Sequence, residues 1–313
     1  MQSSTLTVPA PDGTGLHVNR WLPDGPAKAV VQIAHGMAEH SGRYARFAEA
    51  LTAAGYAVYA GDHRGHGATA TTVRDEGYFA DHAGFATVVD DLHLVTERAR
   101  AEQPGRPVFL FGHSMGSFLA RSYAARFGDE LAGLVLTGTG GDPGLLGKVG
   151  QLLATAEGRL RGRRHTSTLL NTLTFGQYDK AFKPNRTEFD WLSRDEAEVD
   201  KYIADPWCGK VFTSGFFADL LAGLAEVNAD ATVSRVPKDL PIHLVSGSMD
   251  PVGDQTKGVQ QVASQYRRLG VADVTSRFWP GARHEVLNET NRDEITAEIL
   301  AWLDAHLPAG SGD

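Results

Sequence analysis

The chain has 313 residues, 42% of them hydrophobic and 22% charged, a mixture that fits a soluble globular protein of one large α/β domain or two small ones. A net charge of −8 excludes a surface built for nonspecific nucleic-acid binding, which needs excess Lys and Arg against phosphate. The single cysteine, Cys208, excludes an internal disulfide framework and a thiolate zinc cluster; without basic neighbours in sequence it reads as a bystander. The first residues lack the charged and apolar stretches of a signal peptide, and no run reaches the length of a membrane span. A cytoplasmic protein is therefore expected.

In chain order, residues 6–9 and 16–21 alternate apolar and polar side chains around Asp12-Gly13, the pattern of a β-hairpin. A short apolar strand over 29–34 leads through a loop to a helix over 44–54, which Gly55 ends. Residues 56–60 read as the next strand, and 85–101 as a long amphipathic helix stopped by Pro104-Gly105. A buried strand at 108–111 runs into Gly112-His113-Ser114-Met115-Gly116, followed by helical periodicity over 117–127. Residues 131–136 form another strand. The rhythm breaks at 138–144, and from there to about residue 237 only helix-like segments occur. It resumes with a strand at 241–246, a helix at 259–269, a strand at 274–279 and a helix at 292–306; residues 308–313 read as a frayed tail. Strands joined by helices predict a mostly parallel sheet covered on both faces. On this reading 1–139 and 238–313 are two parts of one core, and 140–237 is an inserted helical lid.

Strand, G-x-S-x-G and helix together are the context of a nucleophile elbow, a turn so tight that the serine is strained and its hydroxyl exposed. Ser114 is therefore the candidate nucleophile. Such a serine needs a base and the base an orienting acid, in the chain order Ser, Asp or Glu, His. His284, in Pro280-Gly281-Ala282-Arg283-His284-Glu285, follows the last predicted strand. Of the twelve histidines it alone sits in such a loop near the C-terminus, with His306 on a helix and His243 inside a strand. Asp250, just past the strand ending at Ser246, is the candidate acid, and Asp142 is its rival. The oxyanion hole is expected from two backbone N–H groups, those of Met115 and of Met37, with Gly36 permitting the twist that aims the latter inward. Asp62-His63-Arg64-Gly65-His66-Gly67 lacks the spacing of a metal site and reads as a structural loop. Gly138-Thr139-Gly140 lacks the third glycine of a dinucleotide fingerprint. No metal or organic cofactor is expected.

These residues resemble the α/β-hydrolase fold and, within it, the monoacylglycerol lipase and lysophospholipase group. The likeness rests on His35-Gly36-Met37-Ala38-Glu39-His40-Ser41-Gly42-Arg43-Tyr44, on 62–67, on the elbow, on Gly247 to Asp250, and on His284. It implies a Ser114–Asp250–His284 triad with holes at Met37 and Met115. Tyr202-Ile203-Ala204-Asp205-Pro206 is similar to a lid element of the group, although Trp207 stands where a smaller aliphatic is usual. Residues 68–72 also depart from the usual continuation.

In the lid, Leu145, Leu146, Val149, Leu152, Leu153 and Leu160 share one face of a possible helix, with Arg159, Arg161, Arg163 and Arg164 at its end. A helix packed on the core with a solvated basic end is expected; an apolar stripe beside basic residues also suits peripheral contact with an anionic membrane surface. Gly36, Phe212, Phe216 and Leu220 are candidate substrate contacts, in a composition that favours a lipid-like acyl chain. The function expected is hydrolysis of carboxylic esters of monoacylglycerol or lysophospholipid type through an acyl-enzyme. An aminopeptidase, with Glu188, Glu196 or Glu198 receiving the substrate amine, an acyltransferase, and a non-catalytic binding protein are the alternatives.

Overall fold

The computed structural model describes residues 1–70 and 76–308. The tail expected over 308–313 lies, after its first residue, outside the described residues, as do Thr71 and Thr72.

The hairpin is formed by β1 (Gln2–Pro9) and β2 (Gly15–Leu22), paired antiparallel from Gln2↔Leu22 to Pro9↔Gly15. The Thr14 N–H donates to the Asp12 carboxylate at the turn, 3.0 Å. There follow β3 (Ala29–Ala34), α1 (Ala45–Ala53), β4 (Tyr56–Gly61), α2 (Gly84–Glu102), β5 (Val108–His113), α3 (Met115–Phe127) and β6 (Gly133–Thr137). Between β6 and the next strand lie α4 (Gly144–Arg161), α5 (Thr168–Phe175), α6 (Glu196–Ala204), α7 (Ser214–Val227) and α8 (Asp230–Val233). Then come β7 (Ile242–Gly247), α9 (Lys257–Arg268), β8 (Val274–Trp279) and α10 (Arg292–Ala305). The eight strands form one sheet in the order β1-β2-β4-β3-β5-β6-β7-β8, with β2 alone running against the rest.

Side chains alternate across each central strand, so Phe109 and Phe111 of β5 face one way and Leu110 the other. Phe109 and Phe111 pack with Phe47 and Leu51 of α1 and Ile295, Ile299 and Trp302 of α10. Leu110 joins Leu134 and Leu244 beneath Val88 and Leu92 of α2 and Phe118, Leu119 and Tyr123 of α3. Both faces are therefore dry, as a parallel sheet requires. From β3 the chain steps to β4 on one side and then crosses back to β5 on the other. The strand order reverses there, and Ala34 of β3 lies in register with Gly112 of β5. The loops leaving these two strands therefore emerge side by side at their C-terminal ends, the usual ligand crevice of such sheets.

α4 packs on α7, but not through its leucines. Its buried residues are Gly147, Ala154 and Gly158. A Cβ on Gly150 would lie 3.2 Å from Leu221 Cδ1, so the two helices approach closely along a strip of small residues. Leu145, Leu146, Leu152 and Leu160 consequently stand 70–86% exposed, with Leu169 and Leu173 of α5 about half exposed. A second small cluster of Trp191, Leu192, Tyr202 and Cys208, joined by Phe175, Tyr178 and Phe189, forms beside it. No helix among the described residues is long and apolar enough to cross a membrane.

Candidate active site

Ser114 stands at the turn between β5 and α3 with φ 52° and ψ −120°, a left-handed conformation that serine rarely adopts. Hydrogen bonds to its backbone hold it, the Phe118 N–H to its carbonyl at 3.4 Å among them. Its N–H donates to Thr137 O at 2.9 Å, and its carbonyl accepts the Ser117 N–H at 2.8 Å and the Ser117 hydroxyl at 2.6 Å. A side chain at Gly116 would collide with the Ala34 carbonyl, and one at Gly112 would come within 2.6 Å of Gly116 O, so strand and helix can meet only over glycine. Ser114 itself is only half-buried. Met115 begins α3, where a backbone N–H has no partner inside the helix.

The loop after β3 comes up against this turn: a Cβ on Gly36 would lie 3.2 Å from Ser114 Cβ. Both polar groups of Gly36 are pinned. Its N–H donates to Glu39 Oε1 at 2.5 Å, and its carbonyl lies 2.8 Å from His35 Nδ1. His35 Nε2 accepts the His63 N–H at 3.0 Å, so the proton belongs on Nδ1 and that contact is a donation. Because a trans peptide is planar, pinning the Gly36 carbonyl also fixes the opposite direction for the Met37 N–H. Burial pushes the His35 imidazole well below its ordinary range, which keeps it neutral and in this tautomer. The next residue, Ala38, has φ 55°, and its carbonyl accepts the Tyr202 hydroxyl and the Gly209 N–H, both at 3.0 Å.

His284 lies in the loop after β8, buried, with Nδ1 2.9 Å from Asp250 Oδ1. Asp250 is fully buried and its Oδ1 also accepts the Val252 N–H at 2.9 Å. Asp142, by contrast, is exposed and bonds the Gly144 N–H, so Asp250 is the carboxylate brought to the imidazole. A Cβ on Gly138 would lie 2.8 Å from His284 Cε1, while the carbonyl one residue earlier holds the Ser114 N–H. Serine and imidazole thus share an immediate neighbour. Neither the Ser114 hydroxyl nor His284 Nε2 is bonded to another described residue; such contacts often tighten only around substrate. Burial pulls the His284 imidazole down, but the Asp250 charge and hydrogen bond, with Glu285 and Glu39 beyond, outweigh it and hold it above its ordinary range. His113, whose ring lies 4.8 Å away, is lowered to about 4 by burial and by His284, and stays neutral.

Sequence reasoning missed the ion cluster that joins these two loops. Arg43 Nη1 donates to Glu39 Oε2 and to Glu285 Oε1, both at 2.7 Å, and Nη2 donates to Glu285 Oε2 at 2.8 Å. Tyr44 donates its hydroxyl to Glu39 Oε1 at 2.8 Å. Burial raises both carboxylates, yet the Arg43 charge overrides it and leaves each below its ordinary range. The available signals were the i,i+4 spacing of Glu39 and Arg43 and the place of Glu285 beside His284.

The other candidates fall elsewhere. Phe212, Phe216 and Leu220 are buried in the core cluster that holds Met115, with half-buried Met37 packed against it. The 62–67 segment is a structural loop. Asp62 accepts the Ser41 N–H and hydroxyl, and Arg64 bonds Asp91 and Asp12. His40, Asp205 and Cys208 bring ligand-type atoms within 4.8 Å of one another. His40 and Asp205 bond each other at 2.9 Å, and burial pushes the Cys208 thiol up.

The sequence profile described as "Serine aminopeptidase, S33" matches residues 25–291. The chain belongs to that family. This S33-family protein is 30% identical to the monoglyceride lipase of Homo sapiens over 93% of its own length and 88% of the relative's. It is 29% identical to the monoacylglycerol lipase of Mycolicibacterium smegmatis, with 92% of each chain covered. A thermostable carboxyl esterase from Bacillus coagulans, solved in complex with glycerol, superposes with a TM-score of 0.91 at 28% identity, covering 98% of this chain and 99% of that one. The resemblance read from the sequence holds, and the S33-family chain is an ester hydrolase of the α/β-hydrolase fold.

Proposed function

We propose that the protein hydrolyses esters of monoacylglycerol type by an acyl-enzyme mechanism on Ser114, His284 and Asp250. The observation that carries it is the His284–Asp250 pair beside a strained serine whose other side abuts a loop with its peptide fixed. His284 Nε2 takes the Ser114 proton as the hydroxyl attacks the ester carbonyl, and Asp250 keeps Nδ1 protonated and stabilises the imidazolium. The Met37 and Met115 N–H groups receive the oxyanion. The imidazolium then protonates the leaving alcohol, and water repeats the cycle on the acyl-enzyme. Met37, half-buried and packed against the core cluster of Phe212, Phe216 and Leu220, marks the apolar side on which an acyl chain would lie.

The two monoglyceride lipases support the glycerol ester as substrate. An aminopeptidase needs an acidic group free to hold the substrate amine, and the acids nominated for that role do not fit it. Glu198 is paired with Arg46 and Lys201, Glu196 faces Arg186, and Glu188 is exposed. Comparing kcat/KM for monoacylglycerol, lysophosphatidylcholine and an aminoacyl-anilide tests this reading, and monoacylglycerol is expected to lead. A faster aminoacyl-anilide would reverse the assignment.

Residues 140–237 act in this proposal as a lid that meets the lipid surface. The support is the solvent-facing apolar stripe of α4 and α5, with exposed Arg159, Arg161 and Arg164 beside it in a chain of net negative charge. Replacing Leu146 and Leu152 with serine is expected to weaken sedimentation with anionic phosphatidylglycerol vesicles by about tenfold per leucine withdrawn. Undiminished sedimentation would sever the lid from membrane binding.

A further inference from the structure

We propose that Trp191 is a positioning residue for His284, its indole backing the imidazole and stabilising the imidazolium that forms as Ser114 loses its proton. This rests on His284 being the base of the reaction above.

Two observations carry it. The first is how firmly the stretch around Trp191 is fastened to the loop of the base. The His284 N–H donates to Trp191 O at 3.3 Å and the Glu285 N–H to Leu192 O at 2.7 Å. Ser193 donates its hydroxyl to Asn288 O at 2.8 Å. Arg194 Nε donates to Glu289 Oε2 at 2.7 Å, and that carboxylate is wholly buried and also takes the Arg283 N–H. Arg283 returns the connection through Nη1 to the carbonyls of Asp190 and Ser193. Residues 190–194 thus form a fixed shelf over the base, unlike α4 with its exposed leucines.

The second is the ring itself. Trp191 is 7% exposed, and its centroid lies 5.0 Å from that of His284 at an interplanar angle of 40°. The Tyr178 ring packs against the indole, centroids 5.0 Å apart. A cation within about 6 Å of an indole centroid is attracted by the ring's negative face, more strongly where water is excluded. A neutral imidazole gains little from this and an imidazolium gains much, so the contact favours the protonated state reached in the transition state. The other groups facing His284 are Asp250 from the loop after β7, His113 from the end of β5, Glu285 from its own loop, and Glu39 from the loop after β3, the two glutamates sharing Arg43. His113 is neutral, and burial pushes the Tyr178 phenol up to about 12, so neither changes charge near neutrality. Among the described residues, the indole and His113 are the rings packed against His284.

The test is the pH profile of kcat/KM on a p-nitrophenyl ester for Trp191→Leu and Trp191→Met, which fill the space without an aromatic face, beside Trp191→Phe, which keeps one. Both aliphatic variants are expected to lower the plateau by about tenfold and to move the acid limb to lower pH, because the imidazolium loses support. The phenylalanine variant is expected to lose less and to keep its limb. Two aliphatic variants are used so that a folding defect in one leaves the other. A plateau within about twofold of wild type in a folded aliphatic variant would overturn the proposal. So would a lowered plateau with the limb unmoved, which is what lost packing alone would give. Failure of the triad itself is separable, since it would appear as activity that survives His284→Gln in an otherwise unchanged chain.

Discussion

Ser114→Ala is expected to abolish ester turnover and labelling by a fluorophosphonate, with kcat falling by about 10⁴–10⁶-fold and the melting temperature unchanged. The fold should not notice the change, because the bonds that hold the turn are all made by the backbone of residue 114, and the hydroxyl itself is bonded to no other described residue. Alanine at φ 52° is strained much as serine is, so the elbow conformation is retained at similar cost. The loop after β3, pinned by Glu39 and His35, also stays in place, and on the proposed mechanism any residual rate would come from its Met37 N–H and from substrate binding. In the wild-type chain the acid limb of kcat/KM should lie above about pH 6.5, because His284 is held above its ordinary range and must be neutral to accept the proton. Activity is therefore lost as pH falls through that limb. Retained turnover in purified Ser114→Ala would move the chemistry to another residue.

Much of this arrangement is legible in the chain because its signals are local. The elbow pentapeptide is read from glycines two residues either side of one serine, and the structure gives the steric reason in the Ala34 carbonyl beneath Gly116. The strands are legible because both faces of the sheet are dry, so β3, β4, β5 and β7 are uninterrupted buried runs. What was not legible depends on pairing across distance. Arg43 and Glu285 lie 242 positions apart, and neither the spacing of Glu39 and Arg43 nor the place of Glu285 beside His284 says that the two meet. The leucines of α4 misled for another reason. An apolar stripe says that a helix has a preferred face, but here close approach to α7 was decided by Gly150, Ala154 and Gly158, leaving the bulkier face outward. His35 was invisible as a functional residue because its role is a tautomer, set by the His63 N–H that the fold delivers to Nε2.

Arg43→Met should be the most damaging substitution outside the triad. The guanidinium is 12% exposed and is shared by two carboxylates that are 4% and 7% exposed, so its removal leaves two buried anions facing one another without a cation. Breaking a buried pair in this way typically costs about 3–5 kcal/mol. Lysine should rescue only part, since a single ammonium cannot bond Glu285 in a fork while also holding Glu39. The pH dependence separates this mechanism from lost packing. In the wild-type chain Glu39 and Glu285 lie below their ordinary range, so they stabilise the fold above the unfolded carboxylate pKa, and that stabilisation is lost as pH falls through their folded values. Without Arg43, burial and mutual repulsion push the same groups above their ordinary range, and the variant then gains relative to wild type as pH falls and they take up protons. Urea melts should accordingly show the largest deficit near pH 7 and a narrowing gap toward pH 4–5. The catalytic loss should follow for a separate reason: Glu39 no longer has a fixed position from which to hold the Gly36 N–H, and Glu285 no longer restrains the loop of His284. A deficit that stays constant across this range, or one below about 1 kcal/mol, would mean that the cluster fills space rather than binding the two loops together.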